Sequence, residues 1–128
     1  MVKPPIPANA ARPLKVLFVC TLNQWRSPMA EALYRGDPRL EVRSAGTRSG
    51  ARRRIGPADL AWADLVLVME ADHKNSILEK FGDLALPPIR VLRIANNLGC
   101  ADEQLQRQLR EAIEPELEAL LSAPPGAP

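Results

Sequence analysis

The sequence predicts an α/β domain in three layers, a central four-stranded parallel sheet flanked by helices. Three observations predict it. Strand-like and helix-like stretches alternate along the chain, the order that builds a parallel sheet through crossover helices. Two strand-like runs, Leu17-Phe18-Val19 and Leu65-Val66-Leu67-Val68, are continuously apolar, as strands covered on both faces must be. The first strand passes through a short polar loop straight into a helix start, at the sheet edge where open α/β folds bind ligands.

The elements follow in order. Residues 1–13 hold four prolines and read as a flexible arm. Residues 14–121 form the domain, and the Pro/Ala/Gly-rich residues 122–128 read as a flexible tail. Strands are expected at 15–20, 40–44, 65–69 and 90–94. Helices are expected at 27–35, 57–62, 72–81 and 102–121. In the last helix Leu105, Leu109, Ile113, Leu117 and Leu121 recur every four residues, an amphipathic stripe that packs on a core. Pro115 interrupts it, so one bent helix and two helices, near 102–112 and 115–121, are equally compatible with the pattern.

Composition narrows the function. The chain has 128 residues, 46% of them hydrophobic and 25% charged, as in an ordinary globular domain. A net charge of +2 is too mild to argue for nucleic acid. No apolar run approaches a membrane span. The two cysteines, Cys20 and Cys100, make no disulfide framework, and a working thiol suits the reducing cytoplasm. No His/Cys/Asp cluster has metal-ligand spacing and no Walker-type loop is present, so neither metal nor cofactor is expected.

The chemistry concentrates in Cys20-Thr21-Leu22-Asn23-Gln24-Trp25-Arg26-Ser27-Pro28. A tight loop entering a helix N-terminus turns backbone N–H groups toward an oxyanion and adds the helix dipole. Residues 21–25 are the phosphate-binding loop. A thiol at its base loses its proton readily, so Cys20 is the candidate nucleophile. Arg26 supplies a planar, permanently charged fork that grips two phosphoryl oxygens. Ser27 either caps the helix or donates to the sulfur. Asn23 tolerates the left-handed backbone a tight loop requires, and its amide can tie the loop together. Trp25 is either a wall of the site or a packing residue.

Cys-x5-Arg-Ser-Pro directly after a hydrophobic strand resembles the low-molecular-weight protein tyrosine phosphatases. The likeness continues through Val42-Arg43-Ser44-Ala45-Gly46-Thr47 and through Ala63-Asp64-Leu65-Val66-Leu67-Val68-Met69-Glu70 with His73, covering residues 14–94 in matching order. A short bacterial branch of the family is the best match. The resemblance implies the strand order 2-1-3-4. It also implies a phosphomonoester hydrolase acting through phospho-Cys20 on a phosphorylated protein or a small aryl phosphate.

Two departures stand out. Leu22 occupies a position where many members carry glycine, so its side chain either points away from the phosphate or narrows the pocket. Where the family places the aspartate that protonates the leaving group, this chain reads Asn96-Asn97, and amides do not donate a proton usefully. Asp102 is the replacement candidate, against an equally natural role as helix N-cap. The tyrosine wall of the family is missing too, with Trp25 as the stand-in. These departures keep open a phosphate- or phosphoprotein-binding relative without turnover. A thiol arsenate reductase is disfavoured because such enzymes relay oxidation through two further cysteines and only Cys100 is present. His73, at a helix start, reads as a surface or capping residue rather than a base. Arg48, Arg52, Arg53 and Arg54 read as a solvated, mobile loop, or as a rim that steers acidic substrates.

Overall fold

A computed structural model describes residues 13–95 and 102–121. Most of the expected arm and tail lie outside the described residues, as do Asn96, Asn97 and Cys100. The elements alternate in chain order: β1 (Leu14–Cys20), α1 (Arg26–Tyr34), β2 (Leu40–Gly46), α2 (Pro57–Trp62), β3 (Leu65–Val68), α3 (Ala71–Phe81), β4 (Ile89–Val91) and α4 (Asp102–Leu121). The four strands form one parallel sheet in the order β2-β1-β3-β4, the order that the family resemblance implied.

Strand alternation splits the core into two layers. Val16, Phe18 and Cys20 face α1 and α4, where Ala30, Tyr34, Leu109, Ile113 and Leu117 bury. Leu17 and Val19 face α2 and α3, where Leu60 and Ile77 bury with Ile55 and Leu86. Both faces of β1 and β3 are therefore apolar, which is why their sequence shows no polar alternation. Tyr34 joins the helices of the first layer, donating its hydroxyl to Glu114 Oε2 at 2.6 Å.

Expected bounds shift, and one open alternative is decided. The last strand starts at Ile89 and ends at Val91, short of 94, because β3 ends at Val68 and Arg93 adopts a left-handed φ of 62°. Hydrogen bonding continues past it irregularly, from Leu92 N to Val68 O and from Ile94 N to Met69 O. Helix α1 begins one residue early, at Arg26. Helix α4 runs unbroken through Pro115. Its proline lies on the exposed side, and so does Glu111, whose carbonyl loses its helical donor, so water can serve that carbonyl. Ile113 and Leu117, fully buried on either side of the proline, hold both halves to one core. No helix among the described residues is long and apolar enough to cross a membrane.

At the carboxyl edge of the sheet, Gly46 pairs with Cys20. A Cβ there would lie 2.6 Å from the Thr21 carbonyl oxygen, 2.7 Å from Ala51 Cβ and 3.0 Å from Asn23 N. Two of these are backbone atoms of the loop after β1, so the glycine lets β2 pass close beneath that loop. Gly46→Ala is expected to lower stability by roughly 1–3 kcal/mol and to displace the loop. A thermal melt with no loss against wild type would contradict this.

Candidate active site

The β1–α1 loop is shaped by two residues. Asn23 takes a φ of 56°, the left-handed turn expected of it, and is buried. Pro28 occupies the first turn of α1, where its missing N–H has no helical partner to lose. The segment after β2 braces the loop from one side. Arg48 N donates to the Thr21 carbonyl at 3.1 Å and Arg52 N to the Leu22 carbonyl at 3.0 Å.

Beneath the loop lies a hydrogen-bonded chain with a fixed direction. The Asn23 amide nitrogen donates to Ser27 Oγ and to Ser44 Oγ, both at 2.9 Å. Ser44 Oγ then donates to Glu31 Oε1 at 2.5 Å. Ser27 Oγ, already an acceptor, lies 2.9 Å from Cys20 Sγ and 3.3 Å from the Ala45 carbonyl. A neutral Cys20 thiol donates to Ser27 while the serine hydrogen points to Ala45. A thiolate instead receives that hydrogen. One rotation of the Ser27 hydroxyl thus serves both protonation states of the sulfur. Ser27 is not the helix cap: α1 starts at Arg26, Trp25 holds the cap position without a side-chain bond, and the serine hydroxyl points inward. The network leaves Asn23 Oδ1 buried without a hydrogen-bond partner among the described residues.

Above the loop is a cavity of about 220 Å³ lined by Cys20, Arg26, Arg48 and the loop residues Thr21, Leu22, Gln24 and Trp25. Leu22 is half-buried at its wall, and Trp25, 66% exposed, is a rim residue rather than a packing one. The Arg26 side chain is 5% exposed. Its Nη1 donates to Glu70 Oε1 at 2.6 Å and to the Ile94 carbonyl at 2.7 Å. Its Nη2 lies 3.5 Å from Thr21 Oγ1. One branch of the fork is held by the protein, so the guanidinium plane is set before a ligand arrives.

Glu70 holds the N-cap position of α3 while its side chain holds Arg26: its carbonyl accepts the His73 N–H at 3.1 Å, and its own N–H donates to His73 Nδ1 at 3.0 Å. With Nδ1 accepting, the imidazole proton sits on Nε2, which donates to Thr21 Oγ1 at 2.9 Å. His73 is a cap, as one alternative had it, but not a surface residue, since only 3% of it is exposed. Burial, and then the Arg26 charge, pull its pKa from 6.5 to about 4. The unfolded chain therefore binds a proton between these values that the folded chain refuses. Stability is full above pH 6.5 and falls as pH drops toward 4, by up to about 3 kcal/mol from this group. Urea unfolding from pH 7 to 4 checks this, with His73→Asn expected to lack that component of the acid slope.

The arginine cluster is less free than a solvated, mobile loop. Arg53 pairs with Asp59 and donates to the Ser44 carbonyl at 2.6 Å, because the buried Asp59 carboxylate needs a cation. Arg48 lines the cavity beside Cys20, and Arg52 and Arg54 stay exposed. Asp102 is the first residue of α4, but its side chain lies outside the described residues. Reading the sequence missed Glu70, Glu31 and the Ile94 carbonyl. The available signal for Glu70 was its position just past β3, at the sheet edge where ligands bind.

The family model described as low molecular weight phosphotyrosine protein phosphatase matches residues 15–58, which hold β1, the loop, α1 and β2. A protein-arginine-phosphatase of Geobacillus stearothermophilus is 32% identical over 130 residues, covering 66% of this chain and 88% of that protein. The chain belongs to the low-molecular-weight phosphotyrosine protein phosphatase family. It is a cysteine-dependent phosphatase. The solved structure of an arginine phosphatase from the same organism superposes on this phosphatase with a TM-score of 0.60 at 28% identity, over 86% of this chain and 89% of that one. A low-molecular-weight protein tyrosine phosphatase from Streptococcus pyogenes shares the fold, with a TM-score of 0.68 at 20% identity over 84% of this chain and 93% of that one.

Proposed function

We propose that the phosphatase removes phosphoryl groups from proteins through a phosphocysteine on Cys20, and that its substrate residue is phosphoarginine. The observation that carries the mechanism is the buried thiol 2.9 Å from Ser27 Oγ, at the base of a cavity that Arg26 lines with a pre-set guanidinium. The Cys20 thiolate attacks phosphorus, forming an S–P bond as the P–N bond to the substrate guanidine breaks. The departing nitrogen takes a proton, and Asp102 at the start of α4 is the proposed donor. Water then attacks the phosphocysteine, releasing inorganic phosphate and restoring the thiolate. Arg26 and the loop N–H groups of residues 21–25 hold the equatorial oxygens, whose charge is stabilised best in the transition state. A reducing compartment, such as the cytoplasm, keeps the thiol competent.

Phosphoarginine is favoured because the 32% identical relative is named for it. Phosphotyrosine is the second reading, favoured by the description of the family model that matches the loop. Hydrolysis of p-nitrophenyl phosphate between pH 5 and 8 tests the mechanism, alongside Asp102→Asn. Loss of the acid is expected to lower kcat roughly a hundredfold. An unchanged rate would remove Asp102 from the mechanism. One peptide sequence carrying either phosphoarginine or phosphotyrosine tests the substrate. A higher kcat/KM on phosphotyrosine would overturn the phosphoarginine assignment. Vanadate binding without any turnover would leave a phosphate receptor and overturn the mechanism.

A further inference from the structure

We propose that a groove leading from the phosphate cavity along α3 receives the substrate polypeptide beside its phosphorylated residue, with a cationic side chain near the phosphate and an apolar one beyond. The inference rests on the proposed phosphoprotein substrate and adds to it a preference for flanking sequence. Three cavities adjoin in a row. The phosphate cavity shares Thr21 and Arg48 with a second, of about 290 Å³. The second shares Thr47 and Ser76 with a third, of about 330 Å³.

Their chemistry changes along the row. The second cavity is lined by the carboxylates Glu70 and Asp72 and by Arg48. Glu70 is already paired with Arg26, so the exposed Asp72 is the group that receives a cation, and the buried His73 is neutral at physiological pH. The third has an apolar floor of Ile55 and Ile77 with the half-buried Phe81. Asp72, Ser76 and Lys80 follow the row at four-residue intervals on α3, all three exposed. Eight residues of helix span about 12 Å at 1.5 Å per residue. An extended peptide covers that distance in three to four residues at about 3.3 Å each. The order of subsites is therefore phosphoryl group, cation, then an apolar side chain about three residues on. A small aryl phosphate reaches only the first.

The test uses nine-residue peptides with a central phosphorylated residue, made with phosphoarginine and with phosphotyrosine. One set carries Lys next to it and Leu three residues beyond the Lys, and the control carries Glu and Ser. Each pair is placed N-terminally in one series and C-terminally in another. The intact chain is expected to favour the Lys/Leu peptide roughly tenfold in kcat/KM in one of the two series. Ser76→Arg, which blocks the junction of the second and third cavities, is expected to remove that preference. Asp72→Lys is expected to turn it toward Glu. Equal treatment of all peptides, or a preference that survives Ser76→Arg, would overturn the groove. Fluorescence anisotropy of the same peptides on Cys20→Ser reads the groove without turnover. Discrimination there, with no hydrolysis of any of the peptides by the wild-type chain, would sink the phosphatase mechanism and keep the groove.

Discussion

Cys20→Ser is expected to remove turnover of p-nitrophenyl phosphate, lowering kcat by roughly 10⁴-fold or more, while the protein stays folded and still binds vanadate. The reason is local. A serine oxygen at this position keeps the contact with Ser27, which lies 2.9 Å from the native sulfur, so the network through Asn23, Ser44 and Glu31 has no cause to rearrange. An alcohol, however, does not ionise under conditions where a thiol does, and Ser27 alone cannot supply several kcal/mol of anion stabilisation. Binding is expected to survive because the proposed holders of the phosphoryl oxygens, Arg26 and the loop backbone, are untouched by the substitution. Retained turnover in this variant would dismiss the phosphocysteine route.

Arg26→Ala carries the second large effect, a fall in kcat of roughly 10²–10³-fold. Arg26→Lys is expected to rescue little of it, because an ammonium is a point charge and cannot hold Glu70, the Ile94 carbonyl and two phosphoryl oxygens from one plane. Stability decides whether this is chemistry or collapse. Breaking a fully buried pair costs about 3–5 kcal/mol, but the Glu70 side chain is 41% exposed, so water reaches the carboxylate that the arginine leaves behind. A loss of about 1 kcal/mol is expected, far less than the kinetic effect. Glu70→Gln in the wild-type and Arg26→Ala backgrounds completes the cycle. If Glu70 acts by orienting the guanidinium, it lowers kcat in the first background and not in the second. Equal effects in both would remove the positioning role.

Much of the site was legible because its parts lie within nine consecutive residues. Cys20, Asn23, Arg26, Ser27 and Pro28 are set by the spacing of a strand end, a left-handed turn and a first helical turn, and backbone geometry alone places them together. The continuously apolar runs announced a sheet covered on both faces for an equally local reason. The parallel strand order came through the family resemblance rather than through the residues themselves, and the sheet has it.

Other features were legible in residue type but not in role. The sequence offered Ser27 a choice between capping and the sulfur, and the inward turn of α1 above Ala45 took the second. It left His73 between surface and cap, and burial against Thr21 made it a neutral cap with one defined tautomer. Pro115 forbade one helical hydrogen bond but could not say whether the helix would end. The buried Ile113 and Leu117 on either side kept it whole.

The sequence by itself determined the α/β class, the tight loop from β1 into α1 and the thiol and arginine at its two ends, because each follows from short-range backbone preference and hydrophobic periodicity. Only the tertiary structure decided which groups hold that arginine. Glu70 and the Ile94 carbonyl lie 44 and 68 positions away from Arg26 in the chain, and Ser44 lies 21 from Asn23. No local preference encodes such separations. They arise when parallel pairing of β1 with β2 and β3 brings the three strand ends to one edge, where hydrophobic burial of the faces leaves the polar residues to meet.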